Sequence, residues 1–520
     1  MEELILTLFN QTAQTEEQLP APAAMPKAEP CTFVIFGASG DLARRKLIPA
    51  LYNLACEDCI GGQFRVLGVG RTPLADEDFR SEMHDAVRES KETADFNEAS
   101  WRDFESRLSY VVGDPNNDEM LDELRDHLDK MHNEGASRNH IYYLSIPPSV
   151  APNVIAGIGS AGLADESEGY RRIVIEKPFG RDLKSAHELN EIVAQTFREE
   201  QVFRIDHYLG KETVQNIMVF RFGNTLFEPI WNRNYVSYVE ITAAEPMGIG
   251  DRAGYYEEAG ALRDMVTNHL LQLLMLVAME PPVAFEADSV REEKVKVLRS
   301  IRPMTRAEID EQTIRGQYIT GKIGDEVAAA YRDEKGVQPD SQTETYAAIR
   351  FGIENWRWAG VPFYVRAGKR MSRHLTEVAV HFRRPPQMLF GNNSNNRIQP
   401  NAIILQIQPD EGISLSLGAK IPGTEMKTGS VKMNFDYEKG FGIRPPAAYE
   451  TLLLDVMQGE ATLFTRRDEV EGEWRLITPI EEAWAAGASP LQFYAAGTDS
   501  FFAADELLRQ NNHKWRKLDE

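Results

Sequence analysis

Cysteine is scarce in this chain, and long apolar runs are missing from it. Only three cysteines occur in 520 residues, which excludes a disulfide framework and predicts a reducing, cytoplasmic location. The most apolar run, Leu270 to Met279, is about half of the ~20 residues that a membrane-spanning helix needs, and it contains Gln272. The chain begins with Glu2 and Glu3 after the first methionine, without a recognisable secretory signal. We therefore expect no membrane association.

Positive charge is also in deficit. The chain has 57 Lys and Arg against 80 Asp and Glu, which gives a net charge of −23. A surface of that sign repels a phosphate backbone, so nucleic acid is excluded as a general partner. A small anionic substrate is compatible with this charge where cations converge locally.

Length and hydrophobic pattern predict two domains after a short extension. A chain of 520 residues is too long for one hydrophobic core. Residues 1–30 hold an amphipathic patch and a Pro/Ala-rich stretch, which predict a flexible extension. In residues 31–206, six strand-like runs alternate with helical runs, which predicts a doubly wound parallel sheet. In residues 207–520, β-forming runs cluster without helices between them, which predicts a large, mostly antiparallel sheet with helices on one face.

Cys56 and Cys59 form a C-x-x-C pair, a spacing found in redox and zinc-binding proteins. A structural zinc takes about four ligands, and no second Cys or Cys/His pair follows at a suitable spacing. Two unpaired thiols at the end of a helix are the simpler interpretation, and we predict no metal site.

A glycine turn follows the first predicted strand, in the run FGASGDLARRKL. Gly37 and Gly40 let the backbone turn tightly and approach a pyrophosphate at the start of a helix. The spacing is G-x-x-G-x-x-A, so a plain strand-to-helix connection explains it equally well. The second strand ends at Arg71 rather than at an acid, and a guanidinium there suits a 2′-phosphate, which favours NADP. The alternative is that Arg71 is an ordinary exposed surface residue. Lys46, at the start of the helix, adds positive charge near the turn.

Two further motifs fall at the carboxyl ends of predicted strands, where ligands bind in open parallel sheets. They are Pro147-Pro148 after the fourth strand and Glu176-Lys177-Pro178 after the fifth. Lys177 is therefore a candidate contact for substrate or nicotinamide. A surface lysine in a turn fixed by proline is the alternative interpretation.

The stretch RIDHYLGKETVQN, residues 204–216, gathers charged groups just before a helical pattern. If that helix begins by Asp206, then His207 and Lys211 share one face near its positive end, where an anion is favoured. A helix that Asp206 caps without any ligand is the alternative.

A second histidine lies in an apolar helical run, Ala259 to Met279. Asp264 precedes His269 by five residues, about 140° around an ideal α-helix. The two are therefore not expected to share one stripe, although both can border a pocket at the start of the helix. A lone histidine in such a helix is more often a core residue than a base.

Taken together, these motifs resemble the glucose-6-phosphate dehydrogenase family. The similar segments are GASGDLARRKLIPALYNL, EKPFG, RIDHYLGKETVQN, EEAGALRDMVTNHLLQLLMLVAMEPP and VPFYVRAGKRM, in family order over about residues 30 to 510. The resemblance implies a Rossmann domain followed by a β+α domain, assembled as a homodimer or homotetramer. It also implies oxidation of β-D-glucose 6-phosphate to 6-phospho-D-glucono-1,5-lactone with NADP, in the oxidative pentose phosphate pathway.

The resemblance implies roles for single residues as well. His269 matches the general base that takes the C1 hydroxyl proton, and Asp206 matches the carboxylate that orients it. Substrate-binding positions are matched by Lys177, His207, Tyr208, Lys211, Glu245, Asp264, Lys369 and Gln408. Cofactor-binding positions are matched by Gly37, Ser39, Gly40, Asp41, Leu42, Lys46, Arg71 and Lys177. His207 is on this interpretation a phosphate ligand and not the base.

Two other functions are open at this point. A sugar oxidoreductase of the glucose-fructose type also joins a Rossmann domain, an E-K-P motif and an open sheet, but it leaves RIDHYLGKE and DMVTNH unexplained. An NADP-binding sensor without turnover predicts tight cofactor binding and no lactone formation. The intact set of Asp206, Lys211 and His269 argues against the sensor.

Overall fold

The computed structural model describes residues 25–93, 95–114, 117–385, 399–442 and 445–518. Residues 1–24, which make up most of the predicted extension, lie outside the described residues. Just beyond them, Ala28 is buried beside Ile60, and its N–H donates to the Cys59 carbonyl at 2.8 Å. In the described part of the chain, no helix combines the length and the apolar character needed to cross a bilayer.

The first half of the chain forms a parallel sheet of six strands in the order β3-β2-β1-β4-β5-β6. The strands are β1 Thr32–Phe36, β2 Arg65–Gly70, β3 Leu108–Val112, β4 His140–Leu144, β5 Arg171–Ile175 and β6 Val202–Arg204. Continuous apolar runs such as TFVIF of β1 are buried along their whole length, as parallel strands covered on both faces require. The predicted doubly wound sheet is confirmed.

Helices connect these strands. They are α1 Ile48–Cys56, α2 Asp76–Glu89, α3 Glu98–Glu105, α4 Asp118–Asn133, α5 Ala151–Ser160 and α6 Leu183–Thr196. A π-helical turn, Ala43–Leu47, precedes α1. Helix α1 ends at Cys56, which is exposed, whereas Cys59 is buried, and both are free thiols.

The second half contains a sheet of nine strands in the order β16-β15-β14-β13-β7-β12-β11-β8-β17. The strands are β7 Val236–Glu245, β8 Thr313–Ile319, β11 Tyr346–Gly352, β12 Pro362–Lys369, β13 Leu375–Phe382, β14 Ala402–Gln408, β15 Gly412–Lys420, β16 Thr428–Asp436 and β17 Gln492–Ala495. A separate hairpin pairs β9 Gly321–Ile323 with β10 Glu326–Ala328. Only the β7–β12 and β8–β17 pairs of the large sheet are parallel, so the predicted mostly antiparallel sheet is confirmed.

The helices of the second half pack around this sheet and against the first half. They are α7 Glu212–Phe222, α8 Ala253–Ala261, α9 Leu271–Ala278, α10 Ala287–Ser300, α11 Arg306–Gln312, α12 Tyr437–Phe441, α13 Ala448–Gln458, α14 Arg467–Ala485 and α15 Phe502–Arg509. The helix predicted over 259–279 is not continuous, because a π-helical segment, Leu262–Leu270, lies between α8 and α9. It begins just after Gly260, which has a φ of +58°.

Alternate residues of the central strands face two different cores. Val239 and Val365 belong to the main core, whereas their neighbours Tyr238 and Tyr364 belong to a smaller core that includes Trp515. The residues of α15 and of the tail after it form much of this smaller core. The second face of the sheet is therefore covered by the last part of the chain.

A buried ion pair joins α10 to α14. Lys294 Nζ lies 2.6 Å from Glu469 Oε2, and the two side chains are exposed by only 1% and 0%. Enclosed charges of this kind are tolerated because each compensates the other. The pair fixes α14 at the position where its next turn reaches the functional site.

Candidate functional site

A cleft of about 910 Å³ opens where the carboxyl ends of the parallel strands face the second half of the chain. Its size suits a small-molecule ligand, and its walls mix polar and apolar side chains. Residues that the sequence predicted for the site make up part of its lining: Leu42, Lys46, Lys177, His207, Lys211, Asp264 and Gln408.

The predicted anion-binding pair lies in a turn and not on a helix. Helix α7 begins at Glu212, and residues 207–210 form turns before it. The prediction that His207 and Lys211 share a helical face is therefore wrong. The physical reason is that the N–H groups of Leu209 and Lys211 are bound to carbonyls three residues back, at 3.0 and 3.1 Å, which is a tight-turn pattern. Both predicted side chains still line the cleft.

Asp206 and His269 form a buried hydrogen-bonded pair. Asp206 Oδ1 lies 2.6 Å from His269 Nδ1, and it also accepts a hydrogen bond from the Tyr208 N–H at 2.9 Å. The residues are exposed by only 3% and 1%. Because the carboxylate holds Nδ1, Nε2 is the ring nitrogen left to take up a proton.

Burial and pairing set the charge state of the two groups. Burial lowers the pKa of His269 below its ordinary value, and Asp206 opposes this shift without cancelling it. Burial raises the pKa of Asp206, but His269, His207 and the Tyr208 N–H together outweigh that effect and bring the pKa below its usual range. The pair therefore combines a carboxylate with a neutral imidazole, the state that accepts a proton.

Two aromatic rings hold the imidazole of His269 in place. The Tyr208 ring stacks on it at a centroid distance of 4.2 Å and an angle of 14°, and His207 meets it edge-on at 4.7 Å and 77°. The ligand atoms of Asp206, His207 and His269 lie within 4.8 Å of one another, a spacing within reach of a metal ion. Asp206 Oδ1 is already engaged by two donors, so the hydrogen-bonded pair accounts for the cluster.

His207 and Lys211, the two predicted anion-binding groups at the turn before α7, differ in charge. Burial lowers the pKa of His207 well below its usual value, because the enclosed ring is cut off from water. Burial also lowers the pKa of Lys211 to about 8, against the attraction of Glu411. At neutral pH His207 is therefore an uncharged hydrogen-bonding group, and Lys211 is mainly cationic.

Opposite charges alternate beside the Asp206–His269 pair. Lys177 Nζ donates to Asp264 Oδ1 at 3.1 Å and to the Asp264 carbonyl at 3.0 Å. Lys369 Nζ lies 3.8 Å from Asp264 Oδ2 and donates to Glu245 Oε2 at 2.5 Å. Burial raises the pKa of Asp264, but Lys177 and Lys369 outweigh it and bring the pKa below its usual range. Four predicted substrate-binding residues are thus brought together.

The π-helical form of residues 262–270 explains how Asp264 and His269 reach the same place. Hydrogen bonds in a π-helix run over five residues, so residues five apart are separated by about one turn. The expectation that these two residues would not share a stripe is therefore wrong, because it assumed α-helical geometry. The side chain of Thr267 follows the same spacing and donates to the Leu262 carbonyl at 3.1 Å.

The glycine turn lies at the same edge of the six-stranded sheet. Gly37 has a φ of +84°, and a Cβ there would lie 2.1 Å from the Ser145 carbonyl oxygen. The N–H of Gly40 donates to the Gly37 carbonyl at 2.9 Å and closes the turn. Ser39 Oγ lies 3.1 Å from Thr72 Oγ1, which joins the turn to the segment after β2.

The remaining predicted cofactor residues surround this turn. Arg71, directly after β2, and Asp41 are exposed, whereas Leu42 and Lys46 line the cleft. Lys46 forms an ion pair with Glu92. An exposed guanidinium next to the glycine turn is accessible to a phosphate group.

Sequence reasoning left several polar residues of the cleft unassigned, among them Glu176, Tyr255 and Tyr449. Glu176 Oε1 accepts a hydrogen bond from Tyr449 at 3.1 Å, and Tyr255 donates to Asp264 Oδ1 at 3.2 Å. Glu176 belongs to the E-K-P motif at the end of β5, and this motif could have marked it as a site residue. The two tyrosines lie in helical runs without any spacing that marks a site.

The two halves of the chain match the two domains of one protein family. The "Glucose-6-phosphate dehydrogenase, NAD binding domain" matches residues 34–216, and the "Glucose-6-phosphate dehydrogenase, C-terminal domain" matches residues 218–516. The glucose-6-phosphate 1-dehydrogenase of Aggregatibacter actinomycetemcomitans is 46% identical over 492 residues, 94% of this chain and 98% of its own. The enzyme of that name from Chlamydia pneumoniae is 41% identical over 519 residues, 98% of this chain and 100% of its own.

Solved structures agree with these matches. A structure described as glucose-6-phosphate dehydrogenase in complex with its substrate glucose-6-phosphate has a TM-score of 0.86 at 35% identity, covering 95% of this chain and 100% of that one. The glucose-6-phosphate 1-dehydrogenase from Mycobacterium avium has a TM-score of 0.79 at 33% identity, covering 94% of this chain and 99% of that one. Sequence and fold together therefore place this chain in the glucose-6-phosphate dehydrogenase family.

Proposed function

We propose that the protein oxidises β-D-glucose 6-phosphate to 6-phospho-D-glucono-1,5-lactone and passes the hydride to NADP⁺, as the first step of the oxidative pentose phosphate pathway. Membership of the family supports the reaction and the cofactor. Both matching domains are those of glucose-6-phosphate dehydrogenase, so a glucose-fructose type of oxidoreductase is not favoured. The observation that carries the assignment of residues is the buried 2.6 Å hydrogen bond between His269 Nδ1 and Asp206 Oδ1, next to a cleft lined by lysines.

His269 acts as the general base in this proposal. Its neutral ring takes the proton of the C1 hydroxyl at Nε2 while C1 loses a hydride. Asp206 holds the Nδ1–H and stabilises the imidazolium that forms. Bound NADP supplies the hydride acceptor. Because C1 of the sugar ring is a hemiacetal carbon, its oxidation yields a lactone directly.

The substrate phosphate is held by His207, Tyr208 and Lys211 in this proposal. The ammonium of Lys211 supplies positive charge, and the positive end of the α7 dipole lies directly after it. The sugar hydroxyls then meet the alternating charges and one amide, which belong to Lys177, Glu245, Asp264, Lys369 and Gln408.

The dinucleotide fits the glycine turn. A pyrophosphate needs close backbone approach, and a Cβ at Gly37 would collide with a carbonyl oxygen. We assign Gly37, Ser39, Gly40, Asp41, Leu42 and Lys46 to the body of the cofactor. Arg71 binds the 2′-phosphate in this assignment, and Lys177 reaches the nicotinamide end.

We further propose that the protein is a homo-oligomer that pairs through β16. Val431, Met433 and Phe435 alternate along this edge strand, are exposed by 46%, 61% and 41%, and therefore share one face. Their cross-strand partners on β15 are also apolar: Leu417, Leu415 and Ile413. A continuous apolar strip on an open sheet edge is typical of a contact between subunits.

The reaction is placed in the cytoplasm in this proposal. All three cysteines are free thiols, and two of them, Cys31 and Cys59, are buried. A reducing compartment keeps thiols in this state.

Replacement of the base tests the mechanism. We expect His269→Asn to lower kcat by at least ~10³-fold, because a positioned base contributes about 10²–10⁴-fold, and to leave the KM for glucose 6-phosphate nearly unchanged. Initial rates of NADPH formation measure both. His187→Asn, at a histidine that is 55% exposed on α6, is the control and is expected to keep wild-type rates. Wild-type kcat in His269→Asn would refute the base assignment, and a wild type without lactone formation would favour the sensor.

The charge of Lys211 predicts a pH effect on substrate binding. Its pKa is about 8 in the free protein, so the ammonium is present below that pH and is lost as the pH rises through it. We expect the KM for glucose 6-phosphate to rise between about pH 7 and pH 9 for the wild type. In Lys211→Arg, whose guanidinium stays charged, the rise is expected to disappear. A KM that rises equally in both variants would show that another group is responsible.

The cofactor preference tests Arg71. We expect Arg71→Ala to reduce the ratio of kcat/KM for NADP to that for NAD by about tenfold or more, since a charge-assisted hydrogen bond contributes ~1.5–3 kcal/mol. Arg102→Ala on α3, an exposed arginine outside the cleft lining, is the matched control. An unchanged ratio in Arg71→Ala means that the 2′-phosphate is recognised elsewhere.

The apolar strip on β16 predicts that a charged side chain placed within it breaks the contact between subunits. We expect Met433→Glu to dissociate the oligomer, because the added carboxylate would lose its hydration in the contact. Ser430→Glu places the same charge on the opposite face of the strand and is expected to leave the assembly intact. Size-exclusion chromatography with light scattering measures the mass of each, and an intact Met433→Glu oligomer would place the contact elsewhere.

A further inference from the structure

A small cavity borders Asp206, separate from the large cleft. Arg204, Gln272, Asn268 and Glu473 contribute to its lining. The cavity volume, taken as the space open to the centre of a water-sized sphere, is about 20 Å³, which is enough for one water molecule.

Three buried polar atoms on the lining residues have no hydrogen-bond partner among the described residues. They are Asp206 Oδ2, Gln272 Oε1 and Arg204 Nε. Asp206 uses its other oxygen, Oδ1, for both of its hydrogen bonds. Buried polar atoms are nearly always satisfied in folded proteins, so three such atoms around one cavity point to a common partner.

The three atoms are one donor and two acceptors, a set that a single water molecule can satisfy. Arg204 uses its terminal nitrogens for Glu199, at 2.6 Å, and for Asn190, at 3.1 Å, which leaves Nε–H as its remaining donor. Asp206 Oδ2 and Gln272 Oε1 are acceptors. One water can donate to both acceptors and accept from Nε–H, which makes the three hydrogen bonds typical of a buried water.

Glu473 on α14 determines which end of the Gln272 amide faces the cavity. Gln272 Nε2 donates to Glu473 Oε1 at 2.7 Å, and this bond turns Oε1 of the amide away from Glu473. Burial, together with the charge of Glu469 on the same helix, raises the pKa of Glu473 well above its usual range, and Lys294 opposes the rise. This direction favours the neutral acid, which accepts a hydrogen bond without placing a second negative charge beside Asp206.

We propose that Gln272 and Glu473 are positioning residues for the reacting pair, and that they hold one buried water against Asp206 Oδ2 with Arg204 as its donor. The inference rests on the proposed function, since it takes Asp206 and His269 as the groups that move the proton. With both carboxylate oxygens bound, the plane of the carboxylate is fixed. The Nδ1–H of His269 then stays in line while Nε2 receives the proton.

Substitution of Gln272 tests this role. We expect Gln272→Met to lower kcat about tenfold, as the loss of an orienting partner typically does, while the KM values for glucose 6-phosphate and NADP change less than about twofold. Glu473→Leu removes the acceptor for Gln272 and is expected to behave in the same way. Glu473→Gln keeps a carbonyl acceptor at the same place and is expected to restore wild-type kcat to within about twofold.

A second buried glutamine provides the control for a purely structural effect. Gln317 of β8 is 1% exposed, and its amide donates to the carbonyls of Ser341 and Thr343 at 3.1 and 2.9 Å. We expect Gln317→Met to lower the thermal midpoint without changing kcat. The positioning role is overturned if Gln272→Met also lowers the midpoint while kcat keeps its wild-type value.

A crystal structure of the wild type that resolves ordered waters tests the water itself. We expect density within hydrogen-bonding distance of Asp206 Oδ2, Gln272 Oε1 and Arg204 Nε. A dry cavity, or a water bound only to other atoms, would overturn the inference even if His269→Asn is inactive. Conversely, a wild-type kcat in His269→Asn would refute the role proposed for His269. The electron density of the wild type would still show whether the cavity holds the water.

Discussion

The π-helical segment Leu262–Leu270 is the constraint on which the site depends. It packs against β7 and β12 of the nine-stranded sheet, yet its side chains reach the six-stranded sheet. His269 meets Asp206 after β6, and Asp264 meets Lys177 after β5. On an α-helix the two residues would diverge by about 140°, and one of these links would be lost. The choice of backbone hydrogen-bond pattern therefore decides whether the two sheets share one site.

Pairing makes this concentration of buried charge possible. Asp264 has two lysines, Lys369 also has Glu245, and Asp206 accepts a hydrogen bond from the His269 imidazole, so each enclosed charge has an opposite charge or a hydrogen-bond donor beside it. The same arrangement reconciles a net charge of −23 with anionic ligands. The described lining of the cleft carries both signs, because four cations lie among six Asp and Glu residues, so an anion is held there by individual cations and not by a uniformly positive surface. The cleft cations are Lys46, Lys177, Lys211 and Arg252.

Much of the fold was predictable where the local pattern is strong. The strands β1 to β6 are short, mostly apolar runs that alternate with helical patterns, and this alternation predicts a parallel sheet without information from the rest of the chain. Strand β7 has a weaker local pattern although it lies near the middle of the second sheet, because polar Glu240 and Thr242 stand at its buried positions. Their partners come from far along the chain: the Arg516 N–H binds Glu240, and Arg366 binds Thr242. A local pattern cannot supply partners at that separation.

The site residues were predicted through family resemblance more than through spacing. Reasoning from ideal helices placed His207 with Lys211 and separated Asp264 from His269, and both expectations failed where the backbone leaves the α-helix. A hydrophobic period does not distinguish hydrogen bonds over three, four or five residues. The small cavity at Asp206 could not be predicted from the sequence either, because its lining comes from segments that are distant in sequence.

The contacts of Arg516 join parts of the chain that are far apart in sequence. Strand β17 forms one edge of the second sheet, and Arg516 binds Glu377, a buried residue of β13, at 2.9 Å. The Arg516 N–H also binds Glu240 of β7. Contacts between residues so distant in sequence carry a large loop-closure entropy cost before they contribute stability. We therefore expect the buried carboxylates of the second sheet to gain their arginine partner late in folding.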